Sequence, residues 1–363
     1  MTYRAIGLMS GSSLDGLDIV FAELVEASGR WSYEIIAADC YAYDKDWTNR
    51  LSTATTLPAL DYQLLHTAYG HYLGNEVNRF IEANGLHYKV GLVATHGHTT
   101  FHLPAQKTTA QLGDGAALAA VTGLPVVSDL RALDVAFSGQ GAPIVPIAEK
   151  LLFPDYALFL NLGGIANLSI ARPDGYIAFD VCPANRVLNL IAAEAGKEYD
   201  AGGALAASGQ IHHTLLEQLN ALPYYAQSHP KSLANSFGTD EVYPLVQSHA
   251  LSPADAAATY VAHLVTQIET SIKANRPTGA GGKLLITGGG AFNTFVIEQL
   301  TNRLQPMEVE AIVPDERTVQ YKEALAMALI GVLRWRQEYN VLSSVTGASR
   351  DSIGGAVWIG QEA

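Results

Sequence analysis

Cysteine is almost missing from this chain: Cys40 and Cys182 are the two in 363 residues. Two thiols build no disulfide framework and match no zinc-ligand spacing, so they read as reduced thiols in a reducing compartment. Basic residues are also scarce, with 22 Lys and Arg against 35 Asp and Glu and a formal charge of −13. That balance repels the phosphates of nucleic acid and anionic lipid headgroups, and excludes both as expected partners. It does not exclude a nucleotide, because a local loop and a metal ion overrule the global field. No apolar run approaches the roughly 18 residues of a membrane span. The opening MTYRAIGLMSGSSLDG lacks the basic-then-apolar plan of a signal peptide, so a cytoplasmic protein is expected. Neither G-x-x-x-x-G-K-[ST] nor G-x-G-x-x-G occurs among the glycine-rich turns.

What is present is ample core material, 48% of residues being hydrophobic, on a length that predicts two domains. Tyr3–Met9, Leu17–Leu24 and Ser32–Tyr43 read as strands separated by turn residues, an antiparallel meander. The period then changes, and Leu60–Asn84 reads as a long amphipathic helix. Val90–Ala94 and Pro125–Ser128 are strands flanking a helix at Asp114–Thr122. SGQGAPIVP, Ser138–Pro146, breaks regular structure and marks a crossover. The opening pattern then returns, with strands at Tyr156–Asn161, Leu168–Ile170 and Gly175–Phe179 and a glycine turn after the first. Two such meanders indicate internal duplication with a period too long for a solenoid. Helices follow at Ala184–Ala195, Ile211–Ala221, Ser252–Ala274, Phe292–Arg303 and Val319–Tyr339, with a strand at Lys283–Thr287. The expected division is a first lobe, residues 1–134, and a second, 135–344, with the tail from about 345 to 363 free to return to the first.

Three glycine turns have the composition that phosphate needs: backbone amides with no Cβ in the way, helped by hydroxyls and a carboxylate. They are Gly11-Ser12-Ser13-Leu14-Asp15-Gly16, then Gly163-Gly164 within NLGGIAN, then Gly288-Gly289-Gly290 running into Asn293. Each alone reads equally as a hairpin or a helix cap. Together with Asp18 and Asp180 near strand ends they have the arrangement of the actin, Hsp70 and sugar-kinase superfamily.

At these residues the chain resembles one family, the anhydro-N-acetylmuramic acid kinases. GLMSGSSLDGLD (Gly7–Asp18) looks like the family's first phosphate loop, with Ser12 where Thr is usual. THGHTTFHLP (Thr95–Pro104) is similar to its HGQTVxHxP segment, with His98 in the Gln position. Gln111–Pro146 is the longest match, and NLGGIANLS, FDVCPANRVLN, DAGGALAASG, TGGGAFN, KEALAMALIG and TGASR complete the series in order. The main departure is FDVCPAN (Phe179–Asn185) against a usual FDTGPGN, which either reshapes the sugar pocket or marks a subgroup.

The resemblance implies an α/β fold of two related actin-like ATPase (ribonuclease H-like) lobes around a central cleft. It implies a cytoplasmic enzyme of cell-wall sugar recycling that uses ATP and Mg²⁺. Water opens the anhydro bridge of 1,6-anhydro-N-acetylmuramic acid, and O6 is phosphorylated. A small anhydrosugar is the implied partner, and a homodimer is one assembly it allows. Asp180 matches the family's base, although a lone Asp after a strand also reads as a helix cap. Asp15 and Asp18 would sit in the water shell of Mg²⁺, or serve as turn residues. His96, His98 and His102 form H-x-H-x₃-H, but the resemblance puts this loop at the sugar, with Thr95 and His96 as hydrogen-bonding groups. Arg131 would meet the lactyl carboxylate, or pair with Asp129 or Asp134. Glu323 matches a position against the sugar, or is a first-turn glutamate favoured by the helix dipole. The competing readings are a kinase for a related anhydrosugar such as levoglucosan, and a regulatory ATPase on the same fold.

Overall fold

Three antiparallel strands open the chain in the computed structural model, which describes residues 1–11, 14–234, 236–276 and 281–361. They are β1 (Thr2–Ser10), β2 (Gly16–Ala27) and β3 (Arg30–Ala42). Ile6 lies opposite Phe21 and Leu8 opposite Ile19, and all four are fully buried or nearly so. β3 alternates because it is the outer strand of the sheet, with one face wet. The helix Ala59–Ala83 drops Leu65, Tyr69, Leu73, Val77 and Phe80 into the core from one face. It returns the chain so that β4 (Leu92–Thr95) can run parallel to β1, since a parallel pair needs a long crossover. A hairpin, β5 (His98–Leu103) with β6 (Thr108–Leu112), precedes the helix Gly115–Thr122. That helix is capped by the Asp114 carboxylate. β7 (Val126–Ser128) follows parallel to β4, and the tail returns as Ala356–Trp358 antiparallel to β7.

The helix Glu316–Trp335 covers this sheet closely enough to demand glycine. A Cβ on Gly7 of β1 would stand 1.9 Å from the Ala324 carbonyl oxygen. Ala324 to Ile330 are accordingly 0% exposed. Asp315 starts the helix, accepting from the Thr318 N–H at 3.1 Å and its hydroxyl at 2.7 Å. The start therefore precedes the expected Val319, and Glu323 lies beyond the first turn, outside the reach of the dipole.

Residues 155–320 repeat the plan. β8 (Leu158–Leu162), β9 (Ile165–Arg172) and β10 (Gly175–Pro183) form the meander. β11 (Gly282–Thr287) and β12 (Val309–Ile312) add on parallel to β8, giving the order β10-β9-β8-β11-β12. The first sheet reads β3-β2-β1-β4-β7, the same sequence of directions, with the tail strand Ala356–Trp358 added beyond β7. Both have the strand order and directions expected of a ribonuclease H-like lobe, so the chain is a duplicated α/β fold. Each unit has its own core: one around Leu160, Leu168, Val187, Tyr260 and Ile286, the other around Ile6, Phe21, Tyr69, Phe80 and Leu118.

By contacts the units are Met1–Pro154 with Tyr321–Ala363, and Asp155–Gln320. The sequence expectation divides the lobes at 134/135 and lets the tail return from about 345. Residues 135–154 fall in the first unit because the helix Pro146–Leu152 packs on β3 and its Glu149 pairs with Lys322 at 2.8 Å. No helix among the described residues is long and apolar enough to cross a membrane.

Candidate active site

In the first unit β1 ends at Ser10 and the glycine turn begins. Ser12 and Ser13 lie outside the described residues; Leu14 takes φ 59° and Asp15 is exposed. Asp18, half-buried at the start of β2, lies opposite Cys40 of β3. Its carboxyl is pushed up to about 6 by burial, against a hydrogen bond from Cys40 and with Asp15 and Glu323 adding repulsion.

Behind the turn runs a buried chain of hydroxyls. Tyr43 donates to Ser10 Oγ at 2.9 Å, lies 2.6 Å from the Tyr69 hydroxyl, and Ser10 Oγ lies 3.1 Å from His98 Nδ1. With the Tyr43 proton given to Ser10, the Tyr69 hydroxyl donates to Tyr43, and Ser10 Oγ and His98 Nδ1 share the last contact. Burial, which lowers the His98 pKa, keeps the ring neutral. An acceptor beside a donor is what a Gln amide would offer, which explains physically how His98 fits a Gln position.

Thr95, at the end of β4, accepts from the Gly97 N–H at 3.1 Å, which leaves its own proton free to donate elsewhere. His96 has both nitrogens committed: Nδ1 lies 2.9 Å from the Gly97 carbonyl, and Nε2 accepts from Arg131 Nε at 2.8 Å. Burial first, then Arg131, hold it down at about 3, so it is neutral and orients the guanidinium. Arg131 Nη1 donates to the Gly141 carbonyl at 2.5 Å. It makes an ion pair with neither Asp129 nor Asp134 among the described residues. Asp134 instead accepts from the Gly141 N–H and the Thr346 hydroxyl, both at 2.7 Å, and ties the SGQGA loop to the TGASR segment. Burial lowers Arg131 to about 10, while Glu323 and Asp134 oppose the change. Burial also raises Glu323, with Lys322 and Arg131 pulling it back down.

In the second unit Asn161 of β8, Asn167 of β9 and Asp180 of β10 are in register, a polar row across three strands. The ladder slips between Asp180 and Cys182, a bulge that re-aims the carboxylate. Asp180 Oδ2 accepts from the Leu233 N–H at 2.9 Å and the Ser232 hydroxyl at 3.1 Å. Oδ1 has no partner among the described residues. Burial raises its pKa, and those two donors partly offset the rise. Asp180 does not cap the following helix, which begins at Asn185 without a side-chain cap. Val181, Cys182 and Ala184, the departures from the family pattern, are at most 1% exposed and belong to the core.

Beside this row lie the other two glycine turns. Gly163 and Gly164 join β8 to β9, and their carbonyls accept the N–H groups of Ala184, Asn185 and Arg186. Gly288 takes φ +81°, where a Cβ would stand 2.5 Å from Asn161 Oδ1. Asn293 caps the next helix, accepting from Val296 N at 3.1 Å. A cavity of about 420 Å³ opens here, lined by Gly289, Gly290, Asn293, Glu198, Tyr199 and Phe292 among others. Its exposed aromatics, Tyr199 (59%) and Phe292 (43%), were not singled out from sequence; the DAGG and TGGGAFN motifs beside them were the available signal. Among the described residues no group of three or more His, Cys, Asp or Glu could hold a metal ion by itself.

The chain was compared with known proteins. The family model described as anhydro-N-acetylmuramic acid kinase matches residues 3–360. An anhydro-N-acetylmuramic acid kinase of Aliivibrio fischeri is 33% identical over 371 residues, covering 98% of this chain and 99% of that protein. One of Salinibacter ruber is 34% identical over 380 residues, covering 95% and 93%. Among solved structures, the activator of the 2-hydroxyisocaproyl-CoA dehydratase from Clostridium difficile with bound ADPNP aligns at 15% identity and TM-score 0.47. That alignment covers 92% of this chain and 96% of that one.

Proposed function

This chain belongs to the anhydro-N-acetylmuramic acid kinase family, and on that premise we propose that it opens 1,6-anhydro-N-acetylmuramic acid with water and phosphorylates the O6 released. It is a kinase of an anhydrosugar. The observation that supports the hydrolytic half best is Asp180, with one carboxylate oxygen anchored and the other unpartnered among the described residues. A base must present a free lone pair in a fixed direction, and partial burial strengthens it by raising its pKa. In this proposal Asp180 Oδ1 takes a proton from water as the water oxygen bonds to the anomeric carbon. The C1–O6 bond breaks, and its electron pair stays on O6. ATP supplies the phosphoryl group that O6 accepts.

The remaining side chains position and neutralise. Thr95 retains a hydroxyl proton for a sugar oxygen. Arg131, fixed by His96 and Gly141, faces the lactyl carboxylate with its remaining Nη2, and Glu323 lies against the sugar. The fit to ATP is supported by the close-packed turn at Gly288–Gly290 and the aromatic-lined cavity beside it, which is large enough for a nucleoside. Gly11, Ser12, Ser13, Leu14 and Gly16 are the proposed phosphate-binding residues of the first unit, and Gly163 and Gly164 those of the second. Mg²⁺ fits Asp15 and Asp18 through water: two carboxylates with hard oxygen donors suit an ion that keeps much of its hydration.

A coupled assay of ADP release, with and without the anhydrosugar, tests this. Release should require both Mg²⁺ and sugar, and the product should gain the mass of water as well as of a phosphoryl group. Equal ADP release without sugar, or a phosphorylated product that keeps its bridge, would refute it.

A further inference from the structure

Arg186 is the second residue of the helix Asn185–Glu194, and the fold gains little from its charge. A cation in the first turn stands at the wrong end of the helix dipole. Among the described residues Arg186 has no ion pair and no side-chain hydrogen bond, and its Nε is shut away from solvent without an acceptor. A buried N–H on a charged group with no acceptor is strongly unfavourable, so a guanidinium kept this way needs an acceptor from outside the chain.

Its location says what that acceptor is. The side chain rests on the second glycine turn, with Nε 3.6 Å and Nη2 3.8 Å from where a Cβ on Gly164 would be. A methyl at 164 would already be in van der Waals contact with the guanidinium. The N–H groups of Ala184, Asn185 and Arg186 at the helix start go to the carbonyls of Gly163 and Gly164, so those three amides are not available to a phosphate. The guanidinium adds a charged donor array over this turn, at the end of the strand carrying Asn161. Its planar fork matches the oxygens of a phosphoryl group. Asp180, two strands away on β10, forms no ion pair with it among the described residues.

We propose that Arg186 is a further catalytic residue of this chain, binding the phosphoryl group in transfer and neutralising charge on its outer oxygens. This rests on the phosphotransfer reading above. Charge spread over those oxygens is the main thing a phosphotransferase has to stabilise. The geometry forms no covalent bond to Arg186; its contribution is electrostatic.

The test pairs binding with turnover in Arg186→Ala, Arg186→Gln and Arg186→Lys. By calorimetry in Mg²⁺, Arg186→Ala should bind a non-hydrolysable ATP analogue roughly tenfold or more weakly, while AMP, which ends at the α-phosphate, binds as in wild type. Turnover should fall about 10²–10³-fold with the melting temperature unchanged. Arg186→Lys should recover part of both. If Arg186→Ala misfolds, Arg186→Gln, close in size, carries the same comparison. Wild-type analogue affinity and turnover in a folded Ala or Gln variant would overturn the proposal, as would equal weakening of AMP and analogue. Should the wild-type protein fail to phosphorylate the anhydrosugar, the substrate reading falls, and the contrast between analogue and AMP still decides Arg186.

Discussion

Asp18→Asn should make this protein more stable at neutral pH while making it a worse enzyme. The folded state holds the Asp18 carboxyl at about 6 against an ordinary 3.8, chiefly because it is buried. A raised folded pKa contributes stability below the unfolded value, and that contribution is lost as pH rises through the folded one. Well above pH 6 the ionised side chain therefore costs the fold roughly two pK units at 1.36 kcal/mol each, or about 3 kcal/mol. This is an upper figure, since water drawn in beside the half-buried carboxylate reduces it. Asn has nearly the same shape, still accepts from Cys40, and removes the repulsion from Asp15 and Glu323. For a unit of roughly 200 residues, each kcal/mol moves the melting point about 2–4 °C, so the variant should melt roughly 6–12 °C higher at pH 8. At pH 4.5 most of the wild-type carboxyl is protonated when folded, and the advantage should shrink to about 1 kcal/mol. Thermal unfolding followed by circular dichroism at the two pH values measures both numbers. Equal melting at pH 8, or a gain independent of pH, would refute the reasoning. Turnover should fall alongside, as expected when a destabilising charge is retained for function.

Asp180→Asn should lose about 10²–10⁴-fold in turnover with nucleotide and sugar binding kept, because the amide fills the same space without the basic lone pair; calorimetry beside the ADP assay separates the two effects. Lys322→Met should destabilise the fold by about 3–5 kcal/mol by stranding Glu149, whereas Lys322→Met with Glu149→Leu should come back close to wild type. Both side chains of that pair are 4% exposed, and urea unfolding distinguishes the single from the double variant. Gly7→Ala, which drives a methyl into the Ala324 carbonyl, should cost about 3 kcal/mol or more. Gly29→Ala, with φ +79° and nothing within 4 Å, should cost only about 1–2 kcal/mol.

The two meanders were legible because glycine and serine clusters interrupt alternating apolar runs, and the expected strands lie within a few residues of β1, β2, β3 and β8–β10. The β5–β6 hairpin was not, since Thr99-Thr100-Phe101-His102 carries no clean alternation and its turn, Pro104–Lys107, contains no glycine. The helix Pro146–Leu152 was hidden by the run of loop residues before it. Local pattern brought out the strand ends and glycine turns on which Asp18, Asp180 and Gly288 sit. It could not reveal what those groups touch. The donors to Asp180 come from Ser232 and Leu233, in a stretch with no regular structure, and Glu149 meets Lys322 across 173 residues. Such partnerships are made by chain return, and no window of neighbouring residues contains them.

That return has a consequence for how the protein is made. The second unit is one uninterrupted segment, Asp155–Gln320, set inside a first unit whose last pieces are the helix ending at Trp335 and the strand Ala356–Trp358. On a ribosome the second unit can close as soon as it emerges. The first sheet must wait, with Gly7 and the apolar face of β1 and β4 uncovered, until nearly the whole chain has been translated. A nascent chain stalled before residue 321 should therefore carry a protease-resistant insert within a host that is still open. A premature stop in the last tenth of the message would then be far more damaging than its distance from Asp180 along the chain implies.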